Sequence, residues 1–506
     1  MIRIARTENG MVKGIEAADP RITAFKGIPF AAPPVGKNRW RAPQPAENWE
    51  GVREAYRFAP ISMQSTPGLG TDIYCREWHV DPDIDMSEDC LYLNIWTGAK
   101  STEEKQPVLV WFFGGALQWG YPSEMEFDGE RLARRGIVVV TVNYRINCFG
   151  FLAHPEITKE APKAPANFGN LDQQAGLKWV VRNIEAFGGD PNNITIAGQS
   201  AGGGSVLSQL ACPANQGLFQ KATIMSAMIR SPYRAGGLGT PMPLPQAEKL
   251  GEDFFAYLGV KTLAEARKLE AAYIRDKYYE FIGTHSMMGN VEDGIFSLGD
   301  PLKLLAAGRT IDVPIMAGNT GDEFPSFLEA ESEEELINRI HEIFGDRAEE
   351  LLACPETFVK SGNHYAIVNG IEATVKGEAL YGSQQGKQPL YYYKFVPDIP
   401  GWDNPGTFHS VDLWFFFETL AKCWRPFVGR HYDLSRQMCN YWANFIRCGN
   451  PNGKDADGSE MPYWDSYNDA HHTEMVFGGQ GAEVITDSET EYQKFMIRRI
   501  MEMQAE

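Results

Sequence analysis

Ser200 sits in Gly198-Gln199-Ser200-Ala201-Gly202, a G-x-S-x-G. A serine in that setting is a candidate nucleophile for acyl transfer, provided that a strand leads into it and a helix leaves it. Both are predicted here. Asn193–Ala197 is a short apolar, β-branched run that reads as a buried strand, and Ser205-Val-Leu-Ser-Gln-Leu-Ala reads as a helix. The turn between them is tight, so the positions two residues either side of the serine need almost no side chain, and both are glycine. The helix start then directs backbone N–H groups at any oxyanion formed over the serine.

An acyl-transfer serine also needs a base, a group that orients the base, and donors for the oxyanion. Of nine histidines, His471 and His472 adjoin in a polar stretch and His341 falls on an acidic helix, whereas His409 lies in a loop after a strand, beside the aromatic run Trp414-Phe-Phe-Phe417. His409 is the candidate base. The candidate acid is Glu323, in the glycine-rich turn Gly318-Asn-Thr-Gly-Asp-Glu323, and the adjacent Asp322 competes with it. Gly114-Gly115-Ala116 ends a strand upstream of the serine, where a second set of backbone donors belongs. An Ala116→Gly change is expected to cost about 0.5–1 kcal/mol by loosening the unfolded chain.

The elements that must position these residues follow from the hydrophobic pattern. Val108–Phe113, Ile137–Asn143, Asn193–Ala197, Val313–Gly318 and Pro389–Val396 are apolar runs of strand length. Between them, Met125–Arg135 holds a short helix and Asn170–Phe187 a long one, its apolar face at helical spacing. Alternating buried strands and helices predict an α/β chain with a mostly parallel central sheet and helices on both faces. The first hundred residues read as antiparallel strands and loops, with Asn9-Gly10 a hairpin signal and residues 60–87 a long excursion. Insertions at 230–310 and 330–385 are expected to wall a pocket above the sheet. Ser332–Phe344, Leu434–Arg447 and Glu489–Met503 read as later helices. No repeat or linker divides the 506 residues, so residues 1–506 read as a single domain.

A net charge of −19 argues against a nucleic-acid partner and against docking on anionic membranes. No apolar run is long enough to cross a bilayer, and the first residues contain no secretory core. Eight sparse cysteines without such a signal read as reduced thiols, hence a cytoplasmic location; Cys75 and Cys90 are the candidate pair for a bridge in an exported chain. Oligomeric state leaves no mark on the sequence.

Several segments together resemble the type-B carboxylesterase family, the cholinesterase-like α/β hydrolases. They are Phe25-Lys-Gly-Ile-Pro-Phe with Ala-Pro-Pro-Val-Gly36, Glu88-Asp-Cys-Leu-Tyr-Leu-Asn94, Val142-Asn-Tyr-Arg145, Asn170-Leu-Asp-Gln-Gln-Ala175 and Gly198-Gln-Ser-Ala-Gly-Gly203. The resemblance implies an α/β-hydrolase fold and a serine carboxylic-ester hydrolase acting on a small-molecule ester without metal or cofactor. It implies Ser200 as nucleophile, Glu323 as acid and His409 as base, with Gly115, Ala116 and Ala201 N–H groups as the oxyanion hole. It also implies structural ion pairs of Arg39 with Glu88 and Arg145 with Asp172. The chain departs from the family's usual pattern at Gln199, where glutamate is usual, and at Phe113, Ala116 and Ser410. A feruloyl, aromatic-acid or acylated-sugar esterase of the same fold is one alternative, with Trp119 and Trp414–Phe417 as its aromatic wall. A non-catalytic binding relative is the other.

Overall fold

The computed structural model describes residues 1–234, 239–455 and 458–505. Its centre is an eleven-stranded sheet. The strands, in chain order, are β1 (Ile15–Glu16), β2 (Thr23–Pro29), β3 (Tyr92–Thr97), β4 (Gln106–Phe112), β5 (Val138–Val142), β6 (Gly189–Gln199), β7 (Lys221–Met225), β8 (Ile315–Thr320), β9 (Leu390–Val396), β10 (Thr473–Gly478) and β11 (Gly481–Thr486). Across the sheet they run β11-β10-β9-β8-β7-β6-β4-β5-β3-β2-β1. Every ladder from β5 to β10 is parallel; those of β1, β2 and β3 at one edge and β11 at the other are antiparallel.

The continuous apolar runs of the middle strands exist because both sheet faces are covered. Alternate residues feed two separate cores: Leu109, Trp111, Val139 and Ala197 pack on one side, and Val108, Val110, Val140 and Ile196 on the other. The longer helices are α1 (Phe168–Asn183), α2 (Ala201–Leu210), α3 (Leu244–Leu258), α4 (Ala271–Phe281), α5 (Glu333–Phe344), α6 (Gly370–Gln384), α7 (Gly429–Cys448) and α8 (Glu491–Ala505). Arg39 and Glu88 form a bidentate pair at 2.6 Å, and Arg145 grips Asp172 of α1 at 2.7 Å. Arg39 also donates to the carbonyls of Ala266 and Leu269, so its guanidinium ties the first insertion to the N-terminal region.

Three readings of the sequence need correction. The β10–β11 hairpin went unread, although its Gly478-Gly-Gln-Gly481 turn between two apolar runs is a hairpin pattern. Its parallel ladder to β9 is a pairing that no local pattern announces. The 330–385 insertion does not wall the cavity described below. It builds its own core around Leu336, Ile340 and Tyr365, closed by Phe495 of α8. The turn of the first hairpin falls on Glu8-Asn9, with Gly10 opening the second strand opposite Thr7. Cys75 and Cys90, by contrast, are both free thiols, in line with the expectation of reduced cysteines. In the 230–310 stretch, residues 235–238 lie outside the described residues; the rest holds α3, α4 and two shorter helices, Leu263–Ala266 and Pro301–Ala306, with a two-residue parallel strand pair of Met242–Pro243 on Val291–Glu292. No helix among the described residues is long and apolar enough to cross a membrane.

Candidate active site

Parallel strands present their C-terminal ends on one side of a sheet, and ligand sites in open α/β sheets form there. β6 ends at Gln199 and α2 begins at Ala201, so Ser200 alone makes the turn, at φ 55° and ψ −127°. A residue with a Cβ pays roughly 1–3 kcal/mol for such a conformation. The surroundings hold it: Ser200 N–H donates to Met225 O at 2.8 Å, and Ser200 O accepts from Gly204 N–H at 2.9 Å. The flanking glycines are compelled by contact. A Cβ on Gly202 would strike the Phe112 carbonyl, and one on Gly198 would strike the Gly202 carbonyl.

His409 comes from the segment between β9 and the short helix Leu413–Phe416. Its Nδ1 meets Glu323 Oε2 at 2.6 Å, and both side chains are buried. Glu323 follows β8, and its other oxygen accepts from Thr320 N–H at 3.0 Å. Burial opposes ionisation of Glu323. The charge and hydrogen bond of His409, with help from the Ser226 hydroxyl and Thr320 N–H, outweigh it and hold the carboxyl below its ordinary pKa. A carboxylate at Nδ1 fixes the tautomer, with the proton on Nδ1 and the lone pair on Nε2. That lone pair faces the Gln199 side-chain amide at 3.2 Å.

Asp322, the competing acid, is turned away. Its Oδ2 accepts from Thr407 N–H at 2.7 Å and Thr407 Oγ1 at 2.9 Å. It therefore ties the Glu323 turn to the His409 loop. The other predicted residues gather at the same place. Gly115, Ala116 and Ala201 line one cavity with Ser200 and His409. The donor turn is closed by Gln118 N–H to Gly115 O at 2.8 Å. Ala116 stands at φ 53° and Leu117 at φ 61°. That overturns the expected cost of Ala116→Gly, because a left-handed alanine is already strained and glycine is not.

The cavity holds about 400 Å³, within the range of small-molecule sites. Leu117, Trp119, Leu207, Ile229, Met288 and Phe324 supply much of its apolar wall. Phe324 lies over the His409 ring, centroids 4.5 Å apart. Trp414–Phe417, expected as a possible aromatic wall, is instead wholly buried core. Of that proposed wall only Trp119 reaches the cavity.

Several neighbours escaped the sequence reading. Ser226, at φ 51° just past β7, lies beside Glu323. Its position at the end of the strand next to the nucleophile strand was the available signal. Asp412 is fully buried and accepts from Tyr393 OH at 2.9 Å; burial, with the charge of Glu323 adding, pushes it up to about 7. The excursion at 60–87 is part of the site, since Tyr74, Trp78 and His79 line the cavity and Tyr74 OH donates to His409 O at 3.3 Å. Among the described residues no His, Cys, Asp and Glu group is arranged to hold a metal ion.

The chain matches the carboxylesterase family over residues 2–496. It is 31% identical over 517 residues to para-nitrobenzyl esterase of Bacillus subtilis (strain 168), covering 97% of each chain. It is 30% identical to fumonisin B1 esterase of Sphingopyxis macrogoltabida, covering 94% of this chain and 86% of that one. Among solved structures it superposes on a PNB esterase with a TM-score of 0.76 at 29% identity, over 98% of this chain and 100% of that one. A Geobacillus stearothermophilus carboxylesterase gives a TM-score of 0.74 at 30% identity, over 97% of this chain and 99% of that one. With an α/β-hydrolase sheet, a serine elbow at its C-terminal edge and kinship along nearly its whole length, this chain belongs to the carboxylesterase family and is a carboxylic ester hydrolase.

Proposed function

We propose that Ser200, His409 and Glu323 form the catalytic triad and that the N–H groups of Gly115, Ala116 and Ala201 form the oxyanion hole. The observation that carries this reading is the 2.6 Å contact of His409 Nδ1 with Glu323 Oε2 beside the Ser200 turn. Ser200 Oγ attacks the ester carbonyl while His409 Nε2 takes its proton. The carbonyl oxygen becomes an oxyanion and is met by backbone donors that need no reorganisation. The imidazolium, steadied by Glu323, returns the proton to the leaving alkoxide, and an acyl-enzyme remains. Water, activated by the same imidazole, releases the acid and restores Ser200. For Nε2 to reach Ser200, the Gln199 amide must yield its present contact.

The substrate is a small-molecule ester with apolar parts, supported by the apolar wall of the cavity. Residues 1–506 act as one catalytic unit, and the eight free thiols favour a reducing, cytoplasmic setting. An aromatic-acid preference loses its motive with Trp414–Phe417 in the core, and a purely binding role would leave the buried His409–Glu323 pair without use.

The test is Ser200→Ala. It replaces one small side chain by another, so the melting temperature stays near that of the parent while ester turnover falls about 10⁴-fold or more. A fluorophosphonate labels the parent at Ser200 and leaves the variant unlabelled. Labelling of another serine refutes the assignment.

A further inference from the structure

A concentration of charge lies at the end of the sheet away from Ser200. There a groove of about 420 Å³ is lined by ten residues, six of them basic and one, Glu418, acidic. The chain has 66 acidic and 47 basic residues and a net charge of −19, so a basic groove runs against its composition. The groove shares no lining residue with the ester cavity.

Two elements build it. The short helix Glu130–Ala133 and the turn after it carry Arg131, Arg134 and Arg135, just ahead of β5. α7 buries Met438, Trp442, Phe445 and Ile446 in the core and turns Arg436, Asn440, Asn444 and Arg447, at helical spacing, to the groove. Arg447 O accepts from Asn193 Nδ2, near the start of β6, at 3.1 Å. The groove therefore sits at the N-terminal ends of parallel strands, whereas Ser200 follows the C-terminal end of β6.

The guanidiniums are held in place without being neutralised. Arg135 donates from Nε to Asn440 Oδ1 at 2.6 Å and from Nη1 to Arg131 O at 3.0 Å, and its Nη2 lies 2.7 Å from Glu418 Oε2. Arg447 donates to Asn444 Oδ1 at 2.9 Å and to Arg135 O at 3.0 Å, both neutral acceptors. Arg131 Nη1 comes no nearer to Glu418 Oε1 than 4.0 Å. Among the described residues, three guanidiniums thus face one carboxylate, which leaves two positive charges unmatched. The remaining cations are answered nearby: Arg134 by Asp19 and Glu130, Arg436 by Asp455 and Lys454 by Glu460. Like charges held this close repel one another, and an anion placed between them relieves the repulsion.

We propose that Arg131, Arg135 and Arg447 form a binding site for a compact polyphosphate anion, remote from the ester site. Guanidinium forks match phosphate oxygens, and each such contact is charge-assisted. None of the lining residues is aromatic, so a nucleobase has no face to stack on, and Ala443 alone offers no bed for an acyl chain. The phosphate chain itself is what the groove reads.

The test is titration calorimetry with sodium tripolyphosphate, in low-salt buffer free of phosphate and divalent metal. A Kd of about 10–100 µM is expected, the scale of a few charge-assisted hydrogen bonds, weakening as NaCl is added. Arg447→Gln and Arg131→Gln should each weaken binding about 10-fold or more. Arg447 is exposed and Arg131 partly so, so both variants keep the parent's melting temperature and its ester kcat/KM. Glu418→Gln, which removes the one carboxylate, should tighten binding about 3-fold or more. ATP should bind about as well as tripolyphosphate, since the chain of phosphates is all that is recognised. No heat up to about 10 mM tripolyphosphate, or unchanged binding in both arginine variants, overturns the site. ATP binding at least about 10-fold tighter than tripolyphosphate shows that a base is read, and citrate binding as tightly shows a general polyanion patch; either overturns the polyphosphate assignment. A concentration-dependent dimer that Arg447→Gln abolishes and tripolyphosphate leaves intact makes the groove a contact for the acidic surface of a second copy, and refutes the proposal.

Discussion

Replacing Asp412 by asparagine should change how stability depends on pH, and the structure sets the sign. Asp412 lies three residues past His409 with its side chain fully buried; Oδ2 accepts from Tyr393 OH at 2.9 Å, and Oδ1 has no partner. Burial raises its pKa from 3.8 to about 7; Tyr393 and His409 pull it down and Glu323 pushes it up. The folded state therefore holds a proton that the unfolded chain releases near its ordinary value. Stability tied to this proton is fully present below about pH 4 and declines as pH rises toward 7, where the folded carboxyl also ionises; above that it levels off. At about 1.4 kcal/mol per unit, the decline is capped at roughly 4 kcal/mol. Asparagine keeps the acceptor for Tyr393 but has no proton to lose. Its amide N–H adds a fixed cost of about 1–3 kcal/mol if unsatisfied, which shifts the curve without bending it. Urea unfolding of both proteins from pH 4 to 9 measures the difference. The variant should gain on the parent across pH 4–7 by a few kcal/mol and then run parallel to it. Curves that stay parallel throughout would show that Asp412 is ionised in the fold, and the reasoning from its burial would be wrong.

The two carboxylates of the acid turn should separate cleanly. Glu323→Gln, which removes the partner of His409 Nδ1, is expected to lower kcat by about 10³–10⁴-fold. Asp322→Asn keeps an acceptor for Thr407 and should cost less than about 10-fold; the reverse ranking in steady-state kinetics would refute the acid assignment. Ala116→Gly should be neutral or stabilising by up to about 1 kcal/mol, because relief of the left-handed alanine offsets the unfolded-chain entropy, and denaturant midpoints will show it. Gly202→Ala should cost on the order of 3 kcal/mol or more, its methyl driven into the Phe112 carbonyl. Gly204→Ala, on the same helix, meets nothing within 4 Å and should stabilise by about 1 kcal/mol through helix propensity; thermal unfolding of the pair tests both.

What the sequence by itself determined was whatever short-range physics dictates. A strand, a turn needing two bare glycines and a helix start within one stretch marked Ser200, and the structure sets it at φ 55° on that turn. Long apolar runs marked the parallel strands, because a strand covered on both faces has no polar side to show. Family motifs, which are also local, carried Glu323 and His409 forward as a pair. What only the tertiary structure decided lies between segments far apart in the chain. Adjacent carboxylates point apart, and it took the 407–409 loop to show that Asp322 holds Thr407 while Glu323 meets His409. The aromatic run 414–417 reads the same in sequence whether it lines a cavity or fills a core; the crossing of α7 and the sheet puts it in the core. The excursion at 60–87 has no periodicity because it makes no regular element, yet its Tyr74, Trp78 and His79 close the cavity. Charge state and partner follow from what surrounds a side chain in space, and a chain's own neighbours in sequence supply only a small part of that surrounding.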